Sequence, residues 1–388
     1  MLTLRQDAQA IIDRALADAM PDSAVRRALE CFRKPSGRLV LIAAGKAAWQ
    51  MAKAAYDVLG KDVSCGAVIT KYDHVKGAIG TLELFEAGHP VPDENSYRAT
   101  ARALELVSGL TENDTVVFLL SGGGSALFES PLIPAEEMAD VTKQLLACGA
   151  DIVEINTLRK RLSAVKGAQA CAPAQVFSIV LSDILGDPLD MIASGPAYPD
   201  SSTSAQAMAI VKKYGLRLSE HAQSLLAQET PKTLSNVETH ITGSVRQLCA
   251  SAEETARSLG YTPVVLTDSL RCTARDAGSF LASIAQYNQS SERSLAFIAG
   301  GETVVHLTGT GLGGRNQEIA LSAAQEIAGL RDTAVFSFGS DGTDGPTDAA
   351  GGIVTGETAG TLREAGVDID RVLKDNDAYH ALAKADGL

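Results

Sequence analysis

The sequence predicts an α/β protein with a mostly parallel sheet and two domains. Short apolar runs alternate along the chain with helical patterns, which is typical of buried parallel strands and their connecting helices. The composition combines 35 glycines with only 5% aromatic residues, which suits close packing of helices on a sheet with many glycine turns. The length of 388 residues exceeds one typical domain and fits two.

The predicted elements follow one another in a regular order. The amino-terminal stretch places apolar residues at Leu4, Ala8, Ile11, Ile12 and Leu16, and this spacing predicts an amphipathic helix. Further along, the apolar segments predicted as strands are RLVLIAA, CGAVITK, DTVVFLL, VFSIVLSD, TPVVLTD, LAFIAGG and TAVFSF. Ligands bind at the carboxyl ends of strands in parallel sheets, so the residues just after each segment are the first candidates for a site.

A polar segment indicates where the two domains divide. QETPKTLSNVETHITGS contains Pro231 and separates helical stretches on either side. We therefore predict one domain at residues 1–237 and a second at residues 238–388.

The bulk properties exclude several classes of protein. A net charge of −13 argues against a nucleic-acid partner, because such proteins normally carry a basic face. No run of about 18 uncharged apolar residues occurs, so no membrane span is expected. The six cysteines are scattered without a CxxC pair, which indicates reduced thiols in a cytoplasmic protein. The oligomeric state is left open, and a homo-oligomer is one alternative.

A glycine-rich segment follows the strand-like run VVFLL. It consists of Ser121, Gly122, Gly123, Gly124 and Ser125. Three glycines leave backbone N–H groups free to point at one centre, and the start of a helix beyond them favours an anion such as phosphate. The structural alternative is a tight turn.

A lysine stands at another predicted strand–helix turn. Gly45 and Lys46 do not form a P-loop, because the required earlier glycine and the following Ser or Thr are missing. Lys46 could still neutralise phosphate charge, and the alternative is a solvated lysine. That alternative is disfavoured because a cation opposes the dipole at a helix start.

The segment GTGLGG, residues 309–314, matches the pattern GxGxxG. It follows the strand-like ETVVHL and precedes the helix-like RNQEIAL, as a dinucleotide-binding fingerprint would. Its late position in the chain differs from that fingerprint, which belongs to an opening βα unit. Arg315 and Asn316 follow at once, and an arginine can bind a carboxylate or phosphate through two parallel hydrogen bonds.

Carboxylates follow three of the predicted strands. In FSFGSDGTDGPTDAAGG, Asp341, Asp344 and Asp348 could bind a metal, orient a substrate or accept a proton, or they could stabilise turns. Their spacing does not match an EF-hand, which argues against Ca²⁺. Asp183 could hold Mg²⁺, accept a hydroxyl proton or cap a helix. Glu302 could belong to the site or form a buried ion pair.

A basic stretch, EINTLRKRLSAVKG, is predicted to be helical. It carries Asn156, Arg159, Lys160 and Lys166. Arg159 and Lys166 either reach an anionic site or belong to a solvated basic face.

Together these stretches resemble the glycerate 2-kinases of the MOFRL family, which also bear the older name hydroxypyruvate reductase of tartrate degradation. The matching segments run in the family's order between positions 45 and 352: GKAAWQMAKAA, GHPVPDENS, LLSGGGSAL, EINTLRKRLSAVKG, LSDILGDPLDMIASGPAYPDSST, AGGETVVHLTGTGLGGRNQEIAL and GSDGTDGPTDAAGG. The resemblance implies a Rossmann-like three-layer amino-terminal domain, an α/β MOFRL carboxy-terminal domain and a site in the cleft between them.

The resemblance also implies an activity, namely ATP-dependent phosphorylation of D-glycerate at the 2-hydroxyl to give 2-phosphoglycerate and ADP. Phosphoryl transfer needs charge neutralisation and alignment more than covalent catalysis. The implied cofactors are ATP and Mg²⁺, and the implied substrate is D-glycerate. We expect the catalytic residues to be Lys46, Asp183, Arg315 and Asp341, and the Mg²⁺ ligands to be Asp183, Asp341 and Asp344. We expect the nucleotide to be bound by Ser121, Gly122, Gly123, Gly124, Ser125, Glu302, Gly313, Gly314 and Asn316.

The chain departs from the family pattern at three places. Arg161 and Ala168 stand where the pattern has RKHLS and KGG, which argues against a substrate contact from Arg161. The pattern would also continue beyond Leu388 into a glycine- and threonine-rich strand.

The alternative functions are an NAD(P)H-dependent hydroxypyruvate reductase and a non-catalytic metabolite-binding homologue.

Overall fold

The computed structural model describes residues 3–168, 173–182 and 189–388, so Asp183 lies outside the described residues. The chain forms two compact units. One is Pro21–Ser244, and the other joins the amino-terminal segment, up to Met20, with Val245–Leu388. The domain limits 1–237 and 238–388 stay a prediction.

The secondary structure of the described residues alternates between helices and strands. The helices are α1 (Leu4–Ala19), α2 (Pro21–Leu29), α3 (Ala48–Leu59), α4 (Glu94–Val107), α5 (Gly124–Leu127), α6 (Ala135–Ala147), α7 (Ile152–Arg161), α8 (Ser204–Tyr214), α9 (Glu220–Leu226), α10 (Val245–Ser258), α11 (Ala274–Tyr287), α12 (Arg315–Glu326), α13 (Thr358–Glu364), α14 (Ile369–Asp375) and α15 (Ala378–Lys384). The strands are β1 (Leu39–Ala44), β2 (Val63–Lys71), β3 (Glu83–Ala87), β4 (Thr115–Leu120), β5 (Gln175–Leu181), β6 (Val237–Thr242), β7 (Thr262–Leu270), β8 (Leu295–Gly301), β9 (Ala334–Phe338) and β10 (Gly351–Thr355).

The unit Pro21–Ser244 is built on a parallel sheet of six strands in the order β3-β2-β1-β4-β5-β6. This confirms the prediction of a mostly parallel sheet. The strand order reverses between β1 and β4, which lie side by side with Leu39 opposite Thr115. A crevice forms where the order of an open parallel sheet reverses, and ligands bind there at the carboxyl ends of the strands. The residues after β1 and β4 are therefore candidates for a binding site.

Alternate residues of β1 face opposite sides of this sheet. Val40 and Ile42 pack in one core with α4, whereas Leu39 and Leu41 pack in a second core with α2 and α3. Side chains in a strand point to the two faces in turn, so a strand that is apolar throughout is buried on both sides. The three-layer arrangement that the sequence predicted is confirmed.

Some strands differ from the sequence prediction. β3, with the sequence ELFEA, carries two glutamates, and β6 lies inside the polar segment that predicted a boundary, yet each pairs with a neighbour in parallel. The predicted limit after residue 237 falls at the first residue of β6. The strand-like ETVVHL makes only an isolated bridge between Val304 and Thr273. For β3, β6 and ETVVHL alike, whether a strand forms depends on pairing with segments distant in sequence.

The other unit contains two short sheets and a central helix. β7 and β8 pair in parallel, and β9 and β10 pair antiparallel. Residues of α12 such as Leu321 are fully buried among α13, α14, α15 and β10. The predicted amino-terminal helix is confirmed as α1, and its Ile11 packs against α10. Among the described residues, no helix has both the length and the apolar character that crossing a membrane requires.

Candidate active site

The turns after β1 and β4 meet at the point where the strand order reverses. The Lys46 N–H donates a hydrogen bond to the Gly122 carbonyl at 2.8 Å, and the Ala47 N–H donates to Ser121 Oγ at 3.1 Å. Gly45 has a φ of +130°, and a Cβ there would lie 2.2 Å from Ser121 Oγ. Only glycine fits this approach. The structure thus brings together the two segments that the sequence predicted to bind phosphate.

We call residues 121–125 the first glycine loop. Its Gly124 N–H donates to the Ser121 carbonyl at 3.3 Å. The N–H groups of Gly122 and Gly123 donate to none of the residues that the structure describes. Gly123 has a φ of +82°, a left-handed conformation that favours glycine. Two backbone donors are therefore available to an anion beside Lys46.

His89 packs against the first glycine loop. A Cβ on Gly123 would lie 2.9 Å from His89 Nε2 and 3.2 Å from Lys46 Cγ, so both side chains border this glycine. Partial burial, followed by the charges of Lys46 and Lys71, lowers the pKa of His89 below its usual value. The imidazole is therefore neutral at pH 7.

Sequence reasoning missed His89. It follows β3, which was not predicted as a strand, so the residues after it were not searched. The signal was present in GHPVPDENS, where the histidine stands two positions after the end of a parallel strand.

Two basic residues, the fully buried Lys166 and the partly buried Arg159, bind the backbone at the end of the first glycine loop. Lys166 Nζ donates to the carbonyls of Ser125 at 2.9 Å and Phe128 at 3.0 Å, and it lies 3.2 Å from Glu129 Oε2. Arg159 donates to the Ser125 carbonyl and to Glu129 Oε2, both at 3.1 Å. The side chains of Lys166 and Glu129 are fully buried. These contacts fix the backbone from which the loop projects.

Burial sets the ionisation of this buried pair. Burial lowers the pKa of Lys166 to about 8, although Glu129 opposes the shift. Burial also disfavours the charged form of Glu129, but Lys166 and Arg159 outweigh it and hold the pKa of Glu129 below its usual range. The solvated basic face considered for Arg159 and Lys166 is wrong, because the anion that both reach is Glu129.

The remaining residues of the basic stretch also have partners inside the unit. Asn156 Oδ1 accepts a hydrogen bond from Ser194 Oγ at 3.1 Å, and Ser194 Oγ lies 2.9 Å from Ser125 Oγ. Lys160 Nζ donates to Asp200 at 3.1 Å. Arg161 is buried and donates to Ser202 Oγ at 2.8 Å. Its position favours a structural role, in line with the departure from the family pattern.

We call residues 309–314 the second glycine loop. The N–H groups of its first four residues, and that of Thr308 just before it, are engaged by the end of α14 and the turn that leads to α15. Five consecutive N–H groups donate to this turn: Thr308 and Gly309 to Asn376 Oδ1 at 2.7 and 3.0 Å, Thr310 to Asp375 Oδ1 at 3.2 Å, Gly311 to the Asp375 carbonyl at 2.8 Å and Leu312 to Asp377 Oδ1 at 3.0 Å. Donors already used in this way do not bind a pyrophosphate. The geometry therefore argues against the dinucleotide-binding interpretation.

Asp344 lies beneath the end of the second glycine loop, with 2% of its surface exposed. Its Oδ1 accepts hydrogen bonds from the Asn316 N–H at 3.1 Å and from Asn316 Nδ2 at 3.0 Å, and its Oδ2 accepts from the Gln317 N–H at 2.8 Å. The carboxylate therefore satisfies the first donors of α12 and complements the positive end of the helix.

Arg315 and Glu302 are brought together as exposed side chains. The Arg315 guanidinium donates to Glu302 Oε1 at 2.8 Å, and about half of each side chain is accessible to solvent. The N–H groups of Gly313 and Gly314 make no hydrogen bond with the described part of the chain. This end of the second glycine loop therefore has a cation and free donors on its surface.

We call residues 336–352, FSFGSDGTDGPTDAAGG, the acidic segment. Its other two aspartates have different environments. Asp341 is exposed, and its Oδ1 accepts from the Thr343 N–H at 3.1 Å in a local turn. Asp348 Oδ1 accepts from the Tyr379 hydroxyl at 2.6 Å, and this bond raises the pKa of Tyr379. Of the three, Asp341 is the exposed carboxylate and is therefore the most accessible to a ligand.

The described residues do not by themselves assemble a metal centre. No group of three His, Cys, Asp or Glu side chains within the described ranges could hold a metal ion. Mg²⁺ commonly takes only one or two protein carboxylates together with substrate phosphates and water. Asp341 fits such a role, whereas Asp344 is already occupied by α12.

Two family models match the chain. Residues 7–227 match a family described as a domain of unknown function, DUF4147, and residues 295–388 match the MOFRL family. The first match contains the first glycine loop, and the second contains the second glycine loop and the acidic segment.

Similar proteins extend this match over the whole chain. The D-glycerate 2-kinase of Thermotoga maritima is 52% identical, with 100% of this chain and 94% of that protein covered. A protein of Agrobacterium vitis with the name hydroxypyruvate reductase is 39% identical, with 98% and 89% covered. The crystal structure of a glycerate kinase from Thermotoga maritima has a TM-score of 0.92 at 51% identity and covers 99% of this chain and 95% of that one.

Proposed function

The chain belongs to the MOFRL family of glycerate 2-kinases, and we propose that it transfers a phosphoryl group from ATP to the 2-hydroxyl of D-glycerate, giving 2-phosphoglycerate and ADP. One observation carries the proposal. The free N–H groups of Gly122 and Gly123 lie beside Lys46 where the strand order of a parallel sheet reverses. Backbone donors and a lysine at such a point are suited to phosphate.

The first glycine loop and Lys46 are proposed to hold the phosphates of ATP. Phosphoryl transfer is catalysed mainly by positioning and by neutralising charge. Lys166 and Arg159 support this role, because they bind the carbonyl of Ser125 on the far side of the loop and leave its N–H groups to the ligand. Ser121 and Ser125 are proposed as further nucleotide-binding residues of the loop.

Arg315 is proposed to bind the carboxylate of D-glycerate. A guanidinium can donate two parallel hydrogen bonds to a carboxylate. Arg315 is exposed, and among the side chains that the structure describes its hydrogen-bonding partner is Glu302. Glu302 would then orient the guanidinium. Gly313, Gly314 and Asn316 remain proposed nucleotide-binding residues, supported by the free N–H groups of the two glycines.

Mg²⁺ is proposed to be held by Asp341 and Asp183, and it would neutralise negative charge on the transferred phosphoryl group. Asp344 was predicted as a third ligand and stays a prediction, but its three hydrogen bonds favour a supporting role. The alternative role for Asp183 is to accept the proton of the 2-hydroxyl as the base, in place of binding the metal. Loss of turnover in Asp183→Asn with ATP binding retained supports this role, and near-normal turnover would contradict it.

The decisive experiment is a coupled ADP-release assay with D-glycerate, ATP and Mg²⁺, followed by identification of the phosphoglycerate isomer. Parallel reactions contain hydroxypyruvate with NADH or NADPH. We expect Mg²⁺-dependent formation of 2-phosphoglycerate. Nicotinamide oxidation without ADP release would favour the reductase, and binding of ATP and glycerate without turnover would favour a non-catalytic homologue.

We also propose a cytoplasmic location. Six cysteines scattered without CxxC pairs are typical of proteins kept in a reducing compartment. Thiol labelling in freshly lysed cells tests this, since modification before any reductant is added is expected.

A further inference from the structure

His89 reaches the first glycine loop from the far edge of the sheet. It follows β3, which is separated from β4 by β2 and β1, yet its imidazole packs against Gly123 after β4. A side chain that crosses two strands to reach the loop occupies a position that the fold does not otherwise require. Three turns, after β1, β3 and β4, therefore converge at Gly123.

The segment that carries His89 is firmly held. A Cβ on Gly88 would lie 2.6 Å from the Val91 carbonyl, so the chain turns tightly there. Asp93 accepts a hydrogen bond from the Tyr72 hydroxyl at 2.6 Å and from the Ser96 N–H at 2.9 Å, where it caps α4. The backbone on both sides of His89 is thus fixed before any ligand binds.

The imidazole itself has no hydrogen-bonding partner in the described part of the protein. The charged groups facing it are Lys46 after β1 and Lys71 at the end of β2, and with partial burial they keep the ring neutral. A neutral imidazole has one N–H donor and one acceptor nitrogen. Such a ring with both nitrogens unused, beside two free backbone donors, is suited to contact the same ligand.

We propose that His89 is a catalytic residue that donates its ring N–H to an oxygen of the phosphate held by Lys46 and the first glycine loop. This inference rests on the proposed kinase function. The ligand is a phosphate group, carried either by the nucleotide or by the phosphorylated product. A neutral donor adds a hydrogen bond to the phosphate without placing a third positive charge beside Lys46 and Lys71.

His89 keeps its proton throughout the proposed reaction. The bond between phosphorus and the 2-hydroxyl oxygen of glycerate forms as the bond to ADP breaks, and the hydroxyl proton goes to the base. Charge spreads over the peripheral oxygens of the phosphoryl group during this transfer. In sites of this kind, a fixed donor at about 2.7–3.1 Å from one of these oxygens stabilises the transition state.

The first test is kinetic. We expect His89→Ala to lower kcat/KM about 10- to 100-fold, which is the usual value of one hydrogen bond to a charged group. His89→Gln is expected to recover part of the loss, because its amide supplies a donor. The matched control is His221→Ala, an exposed histidine on α9 whose ring contacts the Leu132 carbonyl, and its rate should equal that of the wild type.

The second test measures the ionisation of the His89 imidazole directly. The pKa of His89 is measured by NMR from its Cε1–H signal, alone and with saturating ADP or 2-phosphoglycerate. A bound anion favours the charged imidazole, so we expect the pKa of His89 to rise with the ligand whose phosphate occupies the loop. The two ligands distinguish the nucleotide from the product as the source of the phosphate.

The outcomes separate this inference from the function on which it rests. A wild-type protein without kinase activity would contradict the proposed function. An active wild-type kinase whose rate is unchanged by His89→Ala would contradict only the role of His89. A pKa of His89 that moves with neither ligand would contradict it as well.

Discussion

The two glycine-rich loops of this protein look alike in sequence and differ in what their backbones do. In the first glycine loop, the N–H groups of Gly122 and Gly123 have no partner among the described residues, and the side chains of Lys46 and His89 border Gly123. In the second glycine loop, the N–H groups of residues 308–312 are all bound by the turn containing Asn376. The first is suited to a ligand, and most of the second is structural.

The difference teaches that glycine spacing alone does not identify an anion site. Glycine permits a close approach, and the approaching partner can be a ligand or another part of the chain. At Gly311 the approaching partner is another part of the chain, because a Cβ there would lie 2.4 Å from the Cβ of Asp377. The glycines of the GxGxxG pattern are thus explained by close packing against a turn more than 60 residues away in sequence.

The largest expected effect distinguishes the loops by charge. We expect Lys46→Met to lower kcat/KM about 100- to 1,000-fold, because a positive charge beside the free donors of the first glycine loop is lost. The control is Lys212→Met on α8, an exposed lysine far along the chain, which should retain full activity. Steady-state kinetics measures both. Equal activity in the two variants would remove the first glycine loop as the phosphate site.

A second prediction compares what supports each loop. The pKa of Lys166 is about 8, below its ordinary value of 10.5, so the unfolded chain binds this proton more tightly than the folded one. The contribution of Lys166 to the free energy of unfolding therefore grows as the pH rises from about 8 to about 10.5. We expect the difference between the wild type and Lys166→Met to increase by up to about 3 kcal/mol over this window.

The second glycine loop supplies the matched control for this measurement. Its support is the amide of Asn376, which does not titrate. Asn376→Ala should therefore lower the free energy of unfolding by about 2–4 kcal/mol at every pH in the window, since it removes the hydrogen bonds to the Thr308 and Gly309 N–H groups and to the buried Glu318 carboxylate. Urea unfolding at several pH values measures both variants. A pH-independent difference for Lys166→Met would mean that its ammonium is not destabilised by burial.

Glycine-to-alanine substitutions are expected to affect mainly activity in the first glycine loop and mainly stability in the second. Gly123→Ala forces a left-handed alanine and pushes on the His89 ring, so we expect kcat/KM to fall about tenfold or more with a stability loss of about 1–2 kcal/mol. Gly311→Ala collides with Asp377, so we expect a stability loss of about 1–3 kcal/mol. Its activity per folded molecule should be retained. The reverse pattern would overturn the comparison between the loops.

Much of the fold could be predicted from the sequence because its strands carry their own signal. β1, β4 and β5 are apolar on both faces, as buried parallel strands are, and each was recognised. β3 and β6 lie at the edges of the sheet and tolerate glutamates and a histidine. Their identity depends on the neighbouring strand, which no local pattern reveals.

The candidate site was predictable where the chain itself brings residues together. Lys46 and the first glycine loop each follow a recognised strand, so their meeting follows from the sheet. His89 and Glu129 could not be found in this way, since one follows an unrecognised strand and the other is identified by its buried partners. The sequence also predicted Mg²⁺ binding for both Asp341 and Asp344, although their tertiary contacts differ: Asp344 is bound by α12 and Asp341 is exposed.

The smallest expected effect concerns Asp344, which lies under the end of the second glycine loop. In Asp344→Asn one oxygen becomes an NH₂ group, which must face an N–H donor of Asn316 or Gln317. We expect a stability loss of about 1–2 kcal/mol from the lost cap of α12, measured by thermal unfolding. In the control, Asp348→Asn, the amide oxygen can still accept from the Tyr379 hydroxyl, so its stability should stay within about 0.5 kcal/mol of the wild type. A wild-type stability for Asp344→Asn, combined with a higher Mg²⁺ requirement for activity, would instead make Asp344 a metal ligand. The second glycine loop would then belong to the catalytic site as fully as the first.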